Sequence, residues 1–284
     1  MKKLLFLLTL IISVELHAQV PWNFDSISLT GIESPLNNAS GNYATSMGYT
    51  TYANGFAATS TGYFTTAPGS FSVSMGSSTS ASGSSSIAMG NYSSAAGDYS
   101  TSMGNNTIAV GFGTVAIGHF NSDNSSSGIS YFNDNSAFVI GNGTGTEDRS
   151  NALTVLFDGT TTIAGDLTVN SDERLKTNIM SLGSTLSLLK MLDGKTYYLK
   201  KGDPQQKIGL LAQDVRVVFP ELVKESKDDQ GTLSVNYQGM IPVLINAINE
   251  QQIMIEQYED KLNKQQAQID KLLEILEYLG KDKK

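Results

Sequence analysis

Polar and apolar positions divide the chain into three regimes. Between residues 41 and 118 glycine recurs at every seventh position, at 41, 48, 55, 62, 69, 76, 83, 90, 97, 104, 111 and 118, with mostly small residues between. From 119 to 170, SAFVIGNG and NALTVLFDGTTTIAGDLTV alternate apolar and polar residues around glycine turns, the pattern of half-buried strands. From about Ile241 the pattern becomes heptads. Ile248, Ile255, Leu262, Ile269 and Leu276 hold one position; Leu244, Gln251, Tyr258, Gln265, Leu272 and Leu279 hold the other. Five to six such heptads predict a coiled-coil helix, extending about 54 Å from Leu244 to Leu279 at about 1.5 Å per residue. Ile and Leu at one seam position with Gln at the other are compatible with more than two strands.

The glycine period hides a longer one. Ala-x-Gly recurs at Ala39, Ala53, Ala67, Ala81, Ala95 and Ala109, and between these stand SMG at Ser46, Ser74 and Ser102, AMG at Ala88, AIG at Ala116 and STG at Ser60. The unit is therefore 14 residues, the mark of a stacked repeat array. Glycine at this density would break a helix and the a/d apolar pattern is missing; collagen would need glycine at every third residue. Short strands of Ser, Thr, Ala and Val, each turned by a glycine, predict a β-solenoid with two strands per coil. Six coils at the inter-strand spacing of about 4.8 Å would make a rod of roughly 29 Å. The small residues enclose a thin core, so each coil needs neighbours along another face. Met47, Met75, Met89 and Met103 are expected to be core or interface filler.

The Ala-x-Gly and Ala-Ile-Gly alternation over about 39–118 resembles the head domain of trimeric autotransporter adhesins. The resemblance implies a left-handed β-roll packed as a homotrimer.

Charge and composition narrow the functions. No Lys or Arg stands between Lys3 and Arg149. The N-terminal half therefore cannot neutralise phosphates, and no nucleic-acid partner is expected. The net charge of −8 fits solubility outside the cell. The absence of cysteine removes disulfides, thiolate nucleophiles and Cys-based zinc sites. Of the two histidines, His17 belongs to the leader, and His119 follows a repeat glycine with no nucleophile pattern near it; a His-dependent triad is not expected. MKKLLFLLTLIISVELHA has the charged start, short apolar run and small terminal residue of a signal peptide. It predicts a mature chain starting near Gln19, secreted or at the cell surface, and no later apolar run is long enough to span a membrane. GNGTGTED lacks the lysine and the strand–helix context of a phosphate loop and reads as a turn. NSDNSSSG around Asp123 would place Phe132 where a calcium loop needs a bidentate Glu. No metal or cofactor site is expected.

Composition changes abruptly at VNSDERLKTNI, residues 169–179, where Ser171 precedes Lys176 by five positions. Locally, Ser171-Asp172-Glu173 is a helix start, an N-cap hydroxyl followed by acids in the first turn. Three segments widen the reading: SDERLKTNI at 171–179, KIGLLAQDVRVVFPELV at 207–223 and LSVNYQGMIPVLINAINEQ at 233–251. In order and spacing they resemble the S74 peptidase family, the intramolecular chaperone domains at the ends of phage tail spikes and fibres, with similar domains in surface proteins and in myelin regulatory factor. The resemblance covers about 171–270. It implies a Ser/Lys dyad that cuts its own chain, with Ser171 as nucleophile, Lys176 as general base and Asn170–Ser171 as the scissile bond. Tyr237 and Pro242 match the later motif as structural residues. A serine hydroxyl needs a neighbouring base. Bringing a lysine from about 10.4 to near 7 costs about 4–5 kcal/mol, which burial supplies. A thin β-half offers little burial, whereas trimer assembly offers more. Peptide N–H groups at the start of the helix after Ser171 are candidates for the oxyanion.

The expected organisation is a signal peptide at 1–18, an N-terminal segment at 19–38, β-roll head repeats at 39–118 and a β-rich stalk at 119–170. An α+β chaperone and autoprotease domain follows at 171–243, then a coiled-coil helix and tail at 244–284. The function this suggests is an exported trimeric fibre or adhesin whose C-terminal chaperone drives trimerisation and then releases itself by cutting between Asn170 and Ser171. The alternative is a non-cleaving fibre that keeps the domain as a clamp. A glycan-degrading enzyme is disfavoured, because the repeat half has very few carboxylates for acid/base work. The surface receptor or glycan bound by such a fibre is not legible.

Overall fold

Each repeat folds into a coil carrying one five-residue and one two-residue strand. The long strands are Thr45–Tyr49, Thr59–Tyr63, Val73–Ser77, Ile87–Asn91, Thr101–Asn105 and Val115–His119; the short ones are Tyr52–Ala53, Thr66–Ala67, Ser80–Ala81, Ser94–Ala95 and Ile108–Ala109. Successive long strands pair in parallel at an offset of one 14-residue unit, so that Gly48, Gly62, Gly76, Gly90, Gly104 and Gly118 stack in register. These features come from a computed structural model that describes residues 23–24, 32–34, 36–126, 128–200 and 204–281. The leader at 1–18, with His17 and the cut before Gln19, lies outside them. The chain divides into two compact units, Met1–Val169 and Asn170–Lys284.

The interior of the solenoid is made of small residues in columns. Ala39, Ala53, Ala67, Ala81, Ala95 and Ala109 are fully buried, and so are Ser46, Ser60, Ser74, Ala88, Ser102 and Ala116 on the long strands. Facing them, Thr51, Thr65, Thr79, Ser93 and Thr107 close hydroxyl pairs across the coil: Ser46 with Thr51 at 2.7 Å, and Ser60 with Thr65, Ser74 with Thr79 and Ser102 with Thr107 at 2.8 Å. Burying a hydroxyl without a partner is costly, and each inward Ser of the long strands carries its own Thr. Where Ala88 replaces the Ser, Ser93 instead donates to the Gly104 carbonyl at 3.0 Å and accepts from Thr107 at 2.8 Å. In the neighbouring buried column Ser72 donates to the Gly69 carbonyl, whereas the Ser86 and Ser100 hydroxyls find no partner among the described residues.

Both ends of this hydroxyl column are closed by asparagine, one repeat beyond its terminal threonines. Asn37 Oδ1 accepts from Thr51 N at 2.9 Å and Thr51 Oγ1 at 2.7 Å. Asn121 exchanges two bonds with the Ile108 backbone, at 2.7 and 2.8 Å. Arg149 secures the same end, donating to the carbonyls of Asn106 at 2.8 Å and Asn121 at 3.1 Å and lying over the Phe120 ring. Beyond it the sheet continues through Ser136–Asn142, parallel to the last coil, and then reverses through Asn151–Leu156 and Thr161–Ile163. Ile32–Glu33 pairs in parallel at the other end, with Asn23–Phe24 antiparallel to it.

One sequence expectation is refined here. Glycine turns the chain at Gly48, Gly62, Gly76, Gly90, Gly104 and Gly118, with φ between 96° and 141°, and at Gly113, with φ 69°, but it does not hold most of the tight corners. The left-handed corners are held by Tyr43, Ala57, Phe71, Ser85 and Tyr99 on one side and Thr50, Phe64, Ser78, Tyr92 and Asn106 on the other, with φ between 51° and 62°. From Ala57 onward each is fixed by an amide bond back to the preceding coil, such as Phe64 N to Tyr49 O at 3.0 Å and Phe71 N to Phe56 O at 2.7 Å. Glycine is required because coils touch there: a Cβ on Gly62 or Gly69 would overlap the carbonyl oxygen of Gly76 or Gly83 in the next coil. Of the two places expected for the methionines, core or interface, the coil interior is not the one they take. Met47, Met75, Met89 and Met103 align with Thr61, Ile117 and Ile140 on the outer face of the long-strand sheet, half-buried or exposed. Beside them runs a second outward column, Thr45, Thr59, Val73, Ile87, Thr101, Val115 and Phe138. This sheet face is apolar and unpartnered within the described chain.

The second unit is small. Helix α1 (Leu186–Leu189), helix α2 (Ala212–Val218) and the first turns of helix α3 (Met240–Lys281) enclose Val215, Phe219 and Val243, with Leu188, Leu189, Leu192, Leu210, Leu222 and Val235 packed around them. Two hairpins complete it, Lys195–Tyr197 with Lys207–Gly209 and Val223–Glu225 with Leu233–Val235. Pro242 sits in the first turn of α3, where its missing N–H removes no helical bond. Tyr237 Oη accepts from Leu210 N at 2.9 Å and ties the approach to α2 to the approach to α3.

Gly69→Ala should lower solenoid stability by about 3 kcal/mol or more, since the Gly83 backbone must move to admit the methyl group. Ala57→Gly, at a left-handed corner, should change it by less than about 1 kcal/mol, because relief of left-handed strain offsets the added chain entropy. Thermal unfolding followed by β-sheet circular dichroism checks the pair; equal effects would contradict the assignment of glycine to coil contact.

Candidate functional site

The first residues of the second unit form a short exposed turn. Glu173–Leu175 makes one 3-10 turn, and its N-cap is Asp172, not Ser171: Asp172 Oδ1 accepts from Arg174 N at 2.9 Å. The expectation of a Ser171 cap fails because the Ser171 hydroxyl is engaged elsewhere. Lys176 Nζ donates to Ser171 Oγ at 2.7 Å, so the turn brings together the two side chains singled out in the sequence. Asn170, Ser171, Asp172, Arg174 and Leu175 line an open hollow on this turn.

Three of the amides that follow Ser171 are already engaged within the turn. The N–H of Arg174 goes to Asp172 Oδ1, that of Leu175 to the Asp172 carbonyl at 3.1 Å and that of Lys176 to the Glu173 carbonyl at 3.0 Å. The site is not dry: every residue from 171 to 184 is exposed in the single chain. A lysine is a donor while protonated and becomes a base near neutral pH only when removed from water. The geometry for proton transfer is thus present in one chain, and the desolvation it requires is not.

The segment carrying this turn rejoins the folded domain at a carboxylate. Glu250 of α3 accepts from Ser184 Oγ at 2.7 Å, Thr185 N at 2.5 Å and Leu186 N at 3.4 Å, and the buried Thr185 hydroxyl donates to the Val243 carbonyl at 3.0 Å. These amide and hydroxyl donors, Thr185 N foremost and Ser184 next, hold the Glu250 carboxyl below the usual carboxylate range. Asn246, one turn earlier, donates to the Gly183 carbonyl at 3.1 Å. Nothing local marks Glu250 in the sequence, because its partners lie 64 to 66 residues away.

Helix α3 carries two stripes. Met240, Val243 and Ala247 are buried against the unit's own core, in line with Glu250. Ile241, Leu244, Ile248, Ile255, Tyr258, Leu262, Ile269, Leu272 and Leu276 are exposed, and they include the apolar members of the predicted heptad seam as far as Leu276; the Leu279 side chain lies outside the described residues. No helix among the described residues is long and apolar enough to cross a membrane.

The other sequence candidates find ordinary structural roles. His119 lies at a strand end with Nδ1 2.7 Å from the Gly143 carbonyl. The Asp123 carboxylate accepts from Val110 N at 2.7 Å and from Ser125 N and Oγ at 2.9 and 2.6 Å. Among the described residues no group of three or more His, Cys, Asp or Glu side chains is arranged to hold a metal ion.

Two family models match the chain. Residues 171–224 match the chaperone of endosialidase, a peptidase S74 domain, and residues 81–107 match two copies of the YadA head domain repeat. Among curated proteins, the chain is 32% identical over 126 residues to the long tail fiber protein Gp37 of Salmonella phage S16, covering 41% of this chain and 16% of that protein. It is 35% identical over 100 residues to the Gp37 protein of Escherichia phage AR1, covering 33% and 9% respectively. The alignments thus span less than a fifth of these relatives.

Glu250 ties stability to pH. Its carboxyl sits lower in the folded chain than in the unfolded one, so its contribution is present above the ordinary carboxylate range and is lost as pH falls below about 4.5. Urea unfolding of the C-terminal unit at pH 7 and pH 3.5 should show a smaller acid loss in Glu250→Gln than in the parent. An identical acid loss in both would show that Glu250 carries none of it.

Proposed function

We propose that this protein is an exported trimeric fibre whose C-terminal domain is an intramolecular chaperone that cuts itself free between Asn170 and Ser171. The observation that carries the proposal is the 2.7 Å contact between Lys176 Nζ and Ser171 Oγ inside the segment that matches the chaperone of endosialidase. The similarity to phage long tail fibers and to the YadA head repeat supports the fibre and its surface location. The two unpartnered apolar surfaces, the outer sheet face of the solenoid and the exposed stripe of α3, support assembly of parallel copies.

In the proposed reaction, neutral Lys176 takes the proton of Ser171 Oγ as that oxygen attacks the Asn170 carbonyl carbon. The C–O bond forms, the Asn170–Ser171 C–N bond breaks, and the proton passes to the departing Ser171 amine. Asn170 is then an ester on Ser171. Water hydrolyses it to the Asn170 carboxylate and the free hydroxyl, leaving a C-terminal piece that begins at Ser171. Packing of neighbouring chains around residues 171–184 removes the water that keeps a lysine charged, so cleavage follows assembly and does not precede it.

Full-length protein should divide without added protease, releasing a 114-residue fragment (284 − 170) that starts at Ser171. Ser171→Ala should stop this by removing the nucleophile, and Lys176→Arg should stop it because arginine keeps its proton. Both side chains are exposed, so both variants should fold and assemble as the parent does. Intact-mass measurement decides. Cleavage of Ser171→Ala at the same bond would assign the cut to another protease, and an uncut parent would leave the domain as a permanent clamp.

A further inference from the structure

Both oxygens of the Asp172 carboxylate are engaged by a single residue. Oδ1 accepts from Arg174 N at 2.9 Å and Nε at 3.0 Å, and Oδ2 accepts from Arg174 Nη2 at 2.6 Å and, through the shared Nε–H, at 3.2 Å. An ionised carboxylate has about four acceptor sites. Three N–H groups of Arg174 occupy most of them, although its own side chain is 88% exposed and has water as an alternative. The pairing lowers the Asp172 carboxyl and raises the Arg174 guanidinium relative to their ordinary values, as mutual hydrogen bonding should.

Lys176 stands at the end of the same turn, four residues after Asp172, and is the only other cation on it. It bonds to Ser171 Oγ. A free carboxylate within about 4–6 Å would oppose the base role twice, by stabilising the ammonium form by about one pKa unit or more and by drawing Nζ away from the hydroxyl. The charged groups of this exposed turn are Asp172, Glu173, Arg174 and Lys176. Arg174 is the only one of them that can occupy Asp172 at every pH where a lysine titrates, since guanidinium does not deprotonate in that range.

We infer that Arg174 is a positioning residue for self-cleavage, keeping the Asp172 carboxylate occupied so that Lys176 is left to Ser171. This rests on the function proposed above. It differs from a stabilising surface ion pair, which at such exposure is worth little. It also assigns an arginine to a step in which it touches no reacting atom.

The test uses the full-length chain and follows release of the 114-residue fragment by mass across pH 6 to 10. Arg174→Ala should slow cleavage about tenfold at pH 7.5 and move the rise in rate about one pH unit upward, the shift expected for a base newly facing a carboxylate. Adding Asp172→Asn to Arg174→Ala should restore the rate to within about threefold of the parent, because the competing charge is gone while Asn keeps the N-cap oxygen. A double variant as slow as the single one would mean that the turn had merely been disrupted, and would overturn the inference. So would Arg174→Ala cleaving with the parent's rate and pH profile. A second readout does not depend on cleavage: in the Ser171→Ala background, Arg174→Ala should raise the Lys176 titration midpoint, measured by NMR of its labelled ε-carbon, by about one unit. An unmoved midpoint sinks the inference whether or not the parent cleaves. A shifted midpoint in a protein that never cleaves would show that Arg174 keeps Asp172 from Lys176, and would remove both the proposed function and the positioning role that rests on it.

Discussion

Everything in the N-terminal unit follows from the contact of one coil's backbone with the next. The glycine columns place main chain against main chain, as where a Cβ on Gly62 would overlap the Gly76 carbonyl. The interior left by so close an approach admits only Ala, Ser and Thr along the repeat columns. Such a core gains little from the hydrophobic effect. A buried alanine contributes about one methyl group, whereas a buried Leu or Phe would contribute about 1.5–3 kcal/mol. The coils are held instead by ladder hydrogen bonds and paired hydroxyls, and the larger apolar side chains lie outside, in the Val73–Ile87–Val115 and Met75–Met89–Met103 columns. A solenoid built this way gains stability chiefly by covering that outer face.

The same incompleteness appears in the C-terminal unit. Met240, Val243 and Ala247 satisfy the domain's own core, and the opposite stripe of α3 from Leu244 to Leu276 has no partner among the described residues. The Ser171–Lys176 pair has its geometry and lacks its desolvation. Glu250 and Asn246 fasten the segment that leads from the pair to α3, so the pair and the apolar stripe are attached to one helix. In our account one event, the packing of copies, covers the outer sheet face, covers α3 and dries the reactive pair.

The 14-residue unit, the two strands per coil and the long C-terminal helix were legible in the sequence because each rests on a period that survives local variation. The reason for the glycines was legible only in part. A turn and a backbone contact both select glycine and both operate here, and only the backbone shows that Phe64 and Tyr92 take left-handed corners, residues with no propensity for them. The Ser171–Lys176 spacing was visible, but the cap went to Asp172, because a hydroxyl engaged with a lysine is not available to an amide. Glu250, and the asparagines closing the hydroxyl column, depend on contacts at a distance. Asn121 could have been found from its place one repeat after Thr107. Glu250 carries no such signal.

The central claim is that assembly makes the Ser171–Lys176 pair reactive. It is tested most directly by following cleavage in freshly refolded protein over a range of chain concentrations, with sedimentation to separate monomer from trimer and intact mass on each fraction. The account predicts that the 114-residue fragment appears only in the trimeric fraction, after a lag that shortens steeply with concentration. Cleavage in the monomer at a rate independent of concentration would contradict it.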